Sequence, residues 1–222
     1  MDRYSEEKKA IIQKISWYGI DLTGGQADLL GIFIDTLIEW NKKINLAGTS
    51  DRSRIINELV LDSLIPVPFL LPEGNLVDIG SGAGFPAIII KIARPDLKIR
   101  LIEANRKKVS FLRYVIHLLK LRDIEPVNKR IETLSDEIRE WGCDMVTSRA
   151  MTGLENIIRL SCKFLKKGGL IIGFLGKNRE EELACISGLA AQHNLQTHKL
   201  INYSLPEKET ERTIVILQKQ QP

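Results

Sequence analysis

Three glycines at alternate positions, with an acid just before them, are the residues of this chain best arranged for binding chemistry. Asp78 ends an apolar run, and Gly80, Gly82 and Gly84 follow it before an apolar helical pattern begins. Glycine lets the backbone turn sharply out of a strand and approach a ligand closely. The helix that follows offers unpaired N–H groups and a positive dipole end. A strand, a glycine turn and a helix in this order are how α/β sheets bind adenosine-type cofactors.

The acids around the glycine turn favour one cofactor class. The segment from Gly82 to Ala87 fits the G-x-G-x-x-A form of the dinucleotide fingerprint. A negative charge at Asp78, however, is unfavourable beside a pyrophosphate. Glu103 closes the next apolar strand and can accept two hydrogen bonds from ribose hydroxyls. S-adenosyl-L-methionine, with its sulfonium, ammonium, carboxylate and ribose, matches these groups better than NAD does. A turn that only packs the strand on the helix is the alternative without a ligand.

The composition is that of an ordinary globular protein with a mild positive charge. The 222 residues are 44% hydrophobic and 27% charged, with a net charge of +4, which permits an anionic partner. The cysteines form no C-x-x-C pair, so we expect free thiols in a reducing compartment and no zinc site. The first residues lack a signal-peptide pattern, and no apolar run reaches the ~18 residues of a membrane span. We therefore expect a cytoplasmic protein.

The elements that must position the candidate residues form two regions. Residues 1–72 read as an N-terminal helical extension, with apolar helical stripes and a third helix near 52–64, and Pro66, Pro68 and Pro72 precede the sheet. Residues 73–222 alternate strand and helix and form the cofactor-binding domain. Strands are predicted near 76–80, 98–103, 124–128, 143–148, 169–175, 196–203 and 213–219. Helices are predicted near 84–94, 105–121, 130–139, 153–165 and 178–193.

The last two predicted strands are joined without a helix, so they can pair antiparallel. We therefore predict an α/β fold with a Rossmann-like, seven-stranded methyltransferase sheet, mostly parallel with an antiparallel last strand. The six-stranded dinucleotide sheet does not end in such a hairpin.

Short segments along the chain resemble those of one bacterial family. They are Asn45-Leu46, Asp62-Ser63-Leu64, Val77 to Pro86, Phe111-Leu112-Arg113, Ser148-Arg149-Ala150, Lys167-Gly168-Gly169 and Glu211-Arg212. In this order they resemble the small-subunit rRNA guanine-N7 methyltransferase family, long called glucose-inhibited division protein B. The glycine motif with Phe85-Pro86 and the Ser-Arg-Ala triplet are the specific parts.

The resemblance implies S-adenosyl-L-methionine as methyl donor and a guanine of 16S rRNA as acceptor. The predicted cofactor-binding residues are Asp78, Gly80, Gly82, Gly84, Phe85, Glu103, Ile131, Glu132 and Arg149. By position, the glycines would lie against the methionine part, Glu103 would hold the ribose, and Ile131-Glu132 would border the adenine. Arg149 would stand at the mouth of the active site.

Methylation of guanine N7 needs no general base, because N7 carries a lone pair and no proton. Catalysis can rest on holding the methyl group in line with N7 and on electrostatics near the purine. Arg149 is the candidate for the second role, since a guanidinium donates readily to guanine O6. Its alternatives are the cofactor carboxylate and an ordinary surface ion pair. Asn45 and Asp62 are further catalytic candidates, although Asn45 could only cap or turn the chain and Asp62 could be a solvated helix residue.

Three positions depart from the family pattern. Ala87 replaces the usual glycine after Phe-Pro, and Glu58-Leu59 stand where a histidine usually precedes Asp-Ser-Leu. The usual Leu-Lys-Gly after the fifth strand reads Leu175-Gly176-Lys177. The last two departures fall on the expected substrate side, so they bear on RNA contact more than on the cofactor.

Basic residues are clustered, and those before residue 60 could surround the crevice and hold phosphates. The clusters are Lys42-Lys43, Arg52 with Arg54, Arg106-Lys107-Lys108, Lys120 with Arg122, Lys129-Arg130 and Lys166-Lys167. No RNA-binding module is apparent, so we expect a monomer that recognises folded 16S rRNA within a small-subunit particle. Two alternatives stay open: a non-catalytic, S-adenosyl-L-methionine-binding ribosome assembly factor, and an NAD-binding oxidoreductase.

Overall fold

A twisted sheet forms the centre of the molecule. A computed structural model describes residues 3–16, 18–149, 153–175, 179–205 and 211–220. Within these ranges the sheet has seven strands in the order β3-β2-β1-β4-β5-β7-β6. The strands are β1 (Asn75–Ile79), β2 (Lys98–Ile102), β3 (Ile124–Val127), β4 (Cys143–Ser148), β5 (Leu165–Leu175), β6 (Leu195–Ser204) and β7 (Glu211–Lys219).

The sheet is parallel from β3 to β5 and changes direction at β7. The pairs β1–β2, β2–β3, β1–β4 and β4–β5 are parallel, and β7 runs antiparallel to both β5 and β6. The connection between Ser204 and Glu211 is too short for a crossover helix, which makes an antiparallel hairpin the available pairing. The predicted fold class is confirmed, including the antiparallel last strand.

Helices cover both faces of the sheet. They are α1 (Arg3–Ser16), α2 (Gly24–Asn41), α3 (Arg52–Arg54), α4 (Leu61–Leu64), α5 (Ala87–Ala93), α6 (Arg106–Leu118), α7 (Ser135–Trp141), α8 (Gly153–Ser161) and α9 (Arg179–Gln192), with a π-helical segment (Ile55–Val60) that joins α3 to α4. Strand residues alternate between two cores. Leu76 belongs to the core that includes residues of α1, α2, α4, α5 and α6, and Val77 belongs to the core that includes residues of α7, α8 and α9. None of the helices in the described ranges is long and apolar enough to cross a membrane.

The N-terminal helices share a core with the sheet. Phe33 of α2 is fully buried, and its ring packs edge-on against Phe85 at a centroid distance of 5.3 Å. Thr23 and Gln26 cap α2 reciprocally, and Gln26 Nε2 donates to the carbonyl of Ile92 in α5 at 2.9 Å. The extension predicted over 1–72 therefore packs directly on the region predicted over 73–222. The boundary itself stays a prediction.

Some element boundaries differ from the predicted ones. β5 begins at Leu165 instead of near residue 169, because Leu165 already pairs with Cys143 across a register shift in β4. The helix predicted near 130–139 is a 3₁₀ turn (Ile131–Thr133) followed by α7. Leu134 separates them, with φ −117° and ψ 2° and a buried side chain, so the helix has to start again after it.

Candidate functional site

The glycine turn after β1 depends on backbone angles that favour glycine. Gly80, Gly82 and Gly84 have φ values of 72°, 55° and 93°, which lie in the left-handed region. The amides of Gly80 and Ser81 donate to the carbonyl of Ile102 at 2.9 and 3.1 Å, which fastens the turn to the end of β2. The turn is therefore anchored to the strand that carries Glu103.

Gly82 and Gly84 face different surroundings. A Cβ on Gly84 would lie 2.5 Å from Cγ1 of Ile88 and 3.3 Å from Cδ2 of Leu112, so this glycine allows close packing of the turn on α5 and α6. A Cβ on Gly82 would meet nothing closer than the Gly80 carbonyl oxygen at 3.7 Å. The space beside Gly82 is thus open, which a ligand needs in order to approach the backbone of the turn.

Glu103 lies beside the turn and is only 5% exposed. Its Oε2 accepts from the Gly82 amide at 2.9 Å, and its Oε1 accepts from the Asn105 amide at 2.7 Å. A carboxylate offers about four lone-pair sites, so each oxygen keeps capacity for one hydroxyl. Glu103 therefore shapes the glycine turn and remains able to receive a diol.

Asp78 is a buried acid with one unsatisfied oxygen. Its Oδ1 accepts from the Thr147 hydroxyl at 2.8 Å, whereas Oδ2 has no hydrogen-bond partner among the described residues. Burial raises the pKa of Asp78 to about 7, the nearby hydroxyls of Thr147 and Ser81 oppose the rise, and the charge of Glu103 adds to it. A buried acid that lacks a partner would be stabilised in its charged form by a cation.

The segment predicted to border adenine lies at the carboxyl end of β3. Ile131 is 7% exposed and packs in the core with Ile102, whereas Glu132 is exposed. Asn128, which the sequence did not single out, donates through Nδ2 to the carbonyls of Glu103 and Ala104 at 3.0 and 2.9 Å. Asn128 therefore fixes the loop after β2 against the loop that leads to Ile131.

Arg149 directly follows β4 and is held by residues of the N-terminal region. Its Nη2 donates to the Glu58 carbonyl at 2.8 Å and pairs with Asp62 Oδ2 at 3.0 Å, and its side chain is 15% exposed. The guanidinium carbon lies 6.0 Å from the ring centroid of Phe85. Glu58 belongs to the π-helical segment, a rare geometry that often marks functional sites. The arginine is thus not an ordinary surface pair.

Asp62 is the centre of a buried network. Its side chain is 2% exposed and accepts from the Tyr203 hydroxyl and from Arg212 Nη1, the latter at 3.0 Å, besides pairing with Arg149. Burial, with the charge of Asp62, raises the pKa of Tyr203 well above its usual range. Asp62 is therefore not a solvated helix residue, and the geometry gives it a role in positioning Arg149.

Asn45 does not join this cluster. It is exposed in the loop after α2, and the neighbouring Asn41 is the side chain that holds this loop. Asn41 Oδ1 accepts from the amides of Leu46 and Ala47 at 2.8 and 3.0 Å, and Asn41 Nδ2 donates to the carbonyl of Ala47 and to Ser50 Oγ. Among the described residues Asn45 makes no side-chain hydrogen bond, and its catalytic role stays a prediction.

The departures from the family pattern are partly visible. Ala87 is fully buried at the start of α5, where a small side chain fits. Glu58 contributes its backbone carbonyl to Arg149 and pairs its side chain with Arg54 at 3.1 Å. Ala150, Gly176 and Lys177 lie outside the described residues.

The basic residues before residue 60 are expected to hold phosphates, but Arg52 is paired with acids of the protein itself. Its guanidinium pairs with Glu7 at 2.6 Å and with Asp35 at 2.5 Å, which joins α1, α2 and α3. These bonds raise its pKa further, with the Glu7 hydrogen bond as the largest cause. Arg52 therefore forms structural ion pairs between helices.

Comparison with known proteins gives the family. The family described as GidB, rRNA small subunit methyltransferase G, matches residues 26–215. The chain belongs to the GidB family. A GidB-family relative from Syntrophotalea carbinolica, named ribosomal RNA small subunit methyltransferase G, is 34% identical over 201 residues, covering 90% of this chain and 93% of the relative. One with the same name from Neisseria meningitidis is 33% identical over 214 residues and covers 96% and 99%.

Solved structures with low identity to this GidB-family chain share its fold. A ribosomal protein L11 methylase from Lactobacillus delbrueckii matches with a TM-score of 0.59 at 13% identity, covering 79% of this chain and 81% of that one. M. jannaschii TYW2, solved in complex with AdoMet, matches with a TM-score of 0.56 at 15% identity, covering 71% and 73%. These likenesses support the Rossmann-like methyltransferase architecture.

Proposed function

We propose that this protein transfers a methyl group from S-adenosyl-L-methionine to N7 of a guanine in 16S rRNA. The observation that carries the donor assignment is the buried Oδ2 of Asp78, which has no hydrogen-bond partner among the described residues. A cationic ligand fits this acid, whereas a pyrophosphate would meet its negative charge. Membership of the GidB family supports ribosomal RNA as the acceptor.

The donor would lie along the carboxyl ends of β1, β2 and β3. Asp78 would face its ammonium, and Gly80, Gly82 and Gly84 would lie against its methionine part with Phe85 nearby. Glu103 would accept the ribose hydroxyls, and Ile131 and Glu132 would border the adenine. Ligands of open α/β sheets bind at this edge, next to the point where the strand order reverses between β1 and β4.

The protein's share of the chemistry is positioning and electrostatics. Guanine N7 attacks through its lone pair, so no side chain has to remove a proton from it. The donor supplies an electrophilic methyl group when bound. Both contacts of Arg149 use Nη2, and a guanidinium has five N–H donors, so donors remain that can reach the purine O6 or the donor carboxylate. Asp62 would hold the arginine in that orientation.

We infer that the substrate is presented within a small-subunit particle and that the protein acts as a cytoplasmic monomer. The support is the family's small-subunit rRNA specificity, together with the absence of an apparent RNA-binding module in the sequence. The N7 position rests on the resemblance of the Ser148-Arg149 and glycine segments to the guanine-N7 family.

Methyl transfer from labelled donor to purified small subunits and to free 16S rRNA tests the proposal. We expect label at one guanine, located by strand cleavage specific for N7-methylguanosine. Donor binding without transfer to either RNA would instead support a non-catalytic assembly factor. A thermal shift with NAD and none with the methyl donor would support the oxidoreductase.

A further inference from the structure

The solvent face of α6 carries cations and an aromatic ring that the donor site does not use. Arg106, Lys107 and Arg113 are exposed, and Tyr114 is 48% exposed. From Arg106 to Arg122 the chain has six lysines and arginines and no aspartate or glutamate. Within the described ranges, no acid pairs with Arg106, Lys107 or Arg113. This face is therefore a stripe of uncompensated positive charge.

Helix stability does not explain the position of these cations. Arg106, Lys107 and Lys108 occupy the first turn of α6, where the helix dipole disfavours positive charge. Asn105 caps the turn by accepting from the Lys107 amide at 2.9 Å, which offsets part of that cost. An anion seated on this turn would be stabilised both by the cations and by the dipole.

Tyr114 provides a fixed, half-exposed ring on the same face. Its centroid lies 5.3 Å from that of Trp40, and Trp40 in turn packs edge-on against the buried Phe111 at 5.6 Å. The ring is thus braced from the core side and open to solvent, with Arg113 next to it in the chain. An exposed aromatic ring beside cations is the arrangement on which unpaired bases stack.

We propose that the face formed by Arg106, Lys107, Arg113 and Tyr114 binds an unpaired RNA segment next to the target guanine. Phosphates would lie along the cations, and a base would stack on Tyr114. Arg106 follows Glu103 closely in the chain, and a helix of this length extends about 20 Å, so the segment would run away from the donor site along α6. The inference rests on the proposed function, since it assigns the RNA surface of that site.

The test compares two variants with equal charge loss. The α6 variant combines Arg106→Gln, Lys107→Gln and Arg113→Gln. The control combines Arg159→Gln, Lys163→Gln and Lys167→Gln, three exposed cations on or after α8, which packs on the opposite sheet face. Steady-state methylation of small subunits is measured across a salt series, together with donor affinity and melting temperature.

We expect the α6 variant to raise the KM for RNA roughly tenfold or more, and to lower the slope of log kcat/KM against log salt by about two. Donor affinity and kcat at saturating RNA should stay near wild type, and the control variant should match wild type throughout. Tyr114→Ala should raise the KM by roughly fivefold to a hundredfold without changing the salt slope, and Tyr114→Phe should restore it.

Binding of small-subunit RNA without donor separates this inference from the proposed function. A wild-type protein that binds through this face but transfers no methyl group would overturn only the proposed function. A methylating wild type with an unchanged α6 variant, or with an equal loss in the control variant, would overturn the RNA surface.

Discussion

At the residue scale, the burial of Asp78 predicts that binding at the proposed donor site depends on pH. The acid is 1% exposed, and only one of its oxygens has a described donor. Because burial raises the pKa of Asp78 to about 7, the site carries its negative charge only above that pH. Below that pH the acid is neutral while the site is empty. A bound cation would favour its charged form.

Affinity for S-adenosyl-L-methionine should therefore rise with pH between about 6 and 7.5, following the pKa of Asp78. Calorimetric titration across this range measures the effect, and Asp78→Asn should bind weakly with no such rise. A wild-type affinity that does not change with pH would mean that Asp78 does not face the cation.

The Asp78 carboxyl group should also make the free energy of unfolding depend on pH. In the unfolded chain Asp78 titrates near its ordinary pKa of about 3.9, so between about pH 4 and 7 the folded chain binds more protons than the unfolded one. The contribution of this group to the free energy of unfolding should fall as the pH rises through that window. Thermal melts of wild type and Asp78→Asn at several pH values measure this contribution as the difference between the two proteins.

Gly82 and Gly84 should respond differently to substitution. Gly82→Val should lose some stability, because valine is strained at a φ of 55°, but its side chain would overlap no neighbouring residue. The folded variant should lose donor binding, because the new side chain would occupy the space proposed for the ligand. Gly84→Ala should cost about 1–3 kcal/mol of stability, because its Cβ would overlap Ile88. Chemical denaturation and calorimetry on both variants measure this, and unchanged donor affinity in a folded Gly82→Val protein would refute the site.

Glu103→Ala should weaken donor binding by about 1.5–3 kcal/mol, the usual range for hydrogen bonds to a charged group. Glu103→Gln should recover part of this, because its amide oxygen can still accept one bond. Since Glu103 Oε2 also holds the Gly82 amide, a 2′-deoxyribose analogue of the donor serves as the control. The analogue should lose affinity for wild type but not for Glu103→Ala.

At the element scale, the site depends on a contact between the N-terminal helices and the strands. Asp62, in α4, contacts Arg149 just after β4, Tyr203 in β6 and Arg212 in β7. Removing one partner of a buried ion pair is strongly destabilising because the other charge is left uncompensated. The network thus links the orientation of Arg149 to two further strands, β6 and β7.

Arg149→Ala should lower kcat strongly and leave donor affinity almost unchanged if the guanidinium acts on the purine. If it binds the donor carboxylate, donor affinity should fall first. Arg149→Lys should rescue little in either case, because an ammonium lacks the planar fork. Single-turnover methylation with saturating donor, beside a donor titration, decides between them, and wild-type behaviour in both would remove Arg149 from the site.

The pattern of apolar residues predicted the strands well, because it depends only on residues that are close together in the chain. β4 matches its predicted bounds, and the residues predicted to bind the cofactor after β1 and β2 lie together as their order implies. The partners of Asp62 were not predictable in this way. Tyr203 is separated from it by 141 positions, and the pattern of a strand does not report which distant helix carries its hydrogen-bond partner.

At the scale of the whole molecule, the core on one sheet face is shared by the N-terminal helices and the sheet. Phe33 and Leu37 of α2 are fully buried against the same cluster as Leu76 and Phe111. The division predicted between residues 72 and 73 would therefore separate two halves of one hydrophobic core. The helical extension is part of what allows the sheet to fold.

A chain that starts at residue 73 should consequently lose its native packing, since it would expose this core face. We expect it to aggregate or to bind ANS, with near-UV circular dichroism lost while far-UV signal is retained. A soluble, cooperatively melting fragment that still binds the donor would show that the two regions are independent domains.

The position of β7 between β5 and β6 determines when the site can be completed during synthesis. Until residues 211–219 leave the ribosome, β6 lacks its neighbour in the sheet, and Arg212 is not available to Asp62. An unfinished chain can fold its glycine turn, since β1 and β2 are made earlier, but it cannot clamp Arg149 fully. Translation of the last strand is therefore the step that supplies Arg212 to the network around Asp62 and Arg149.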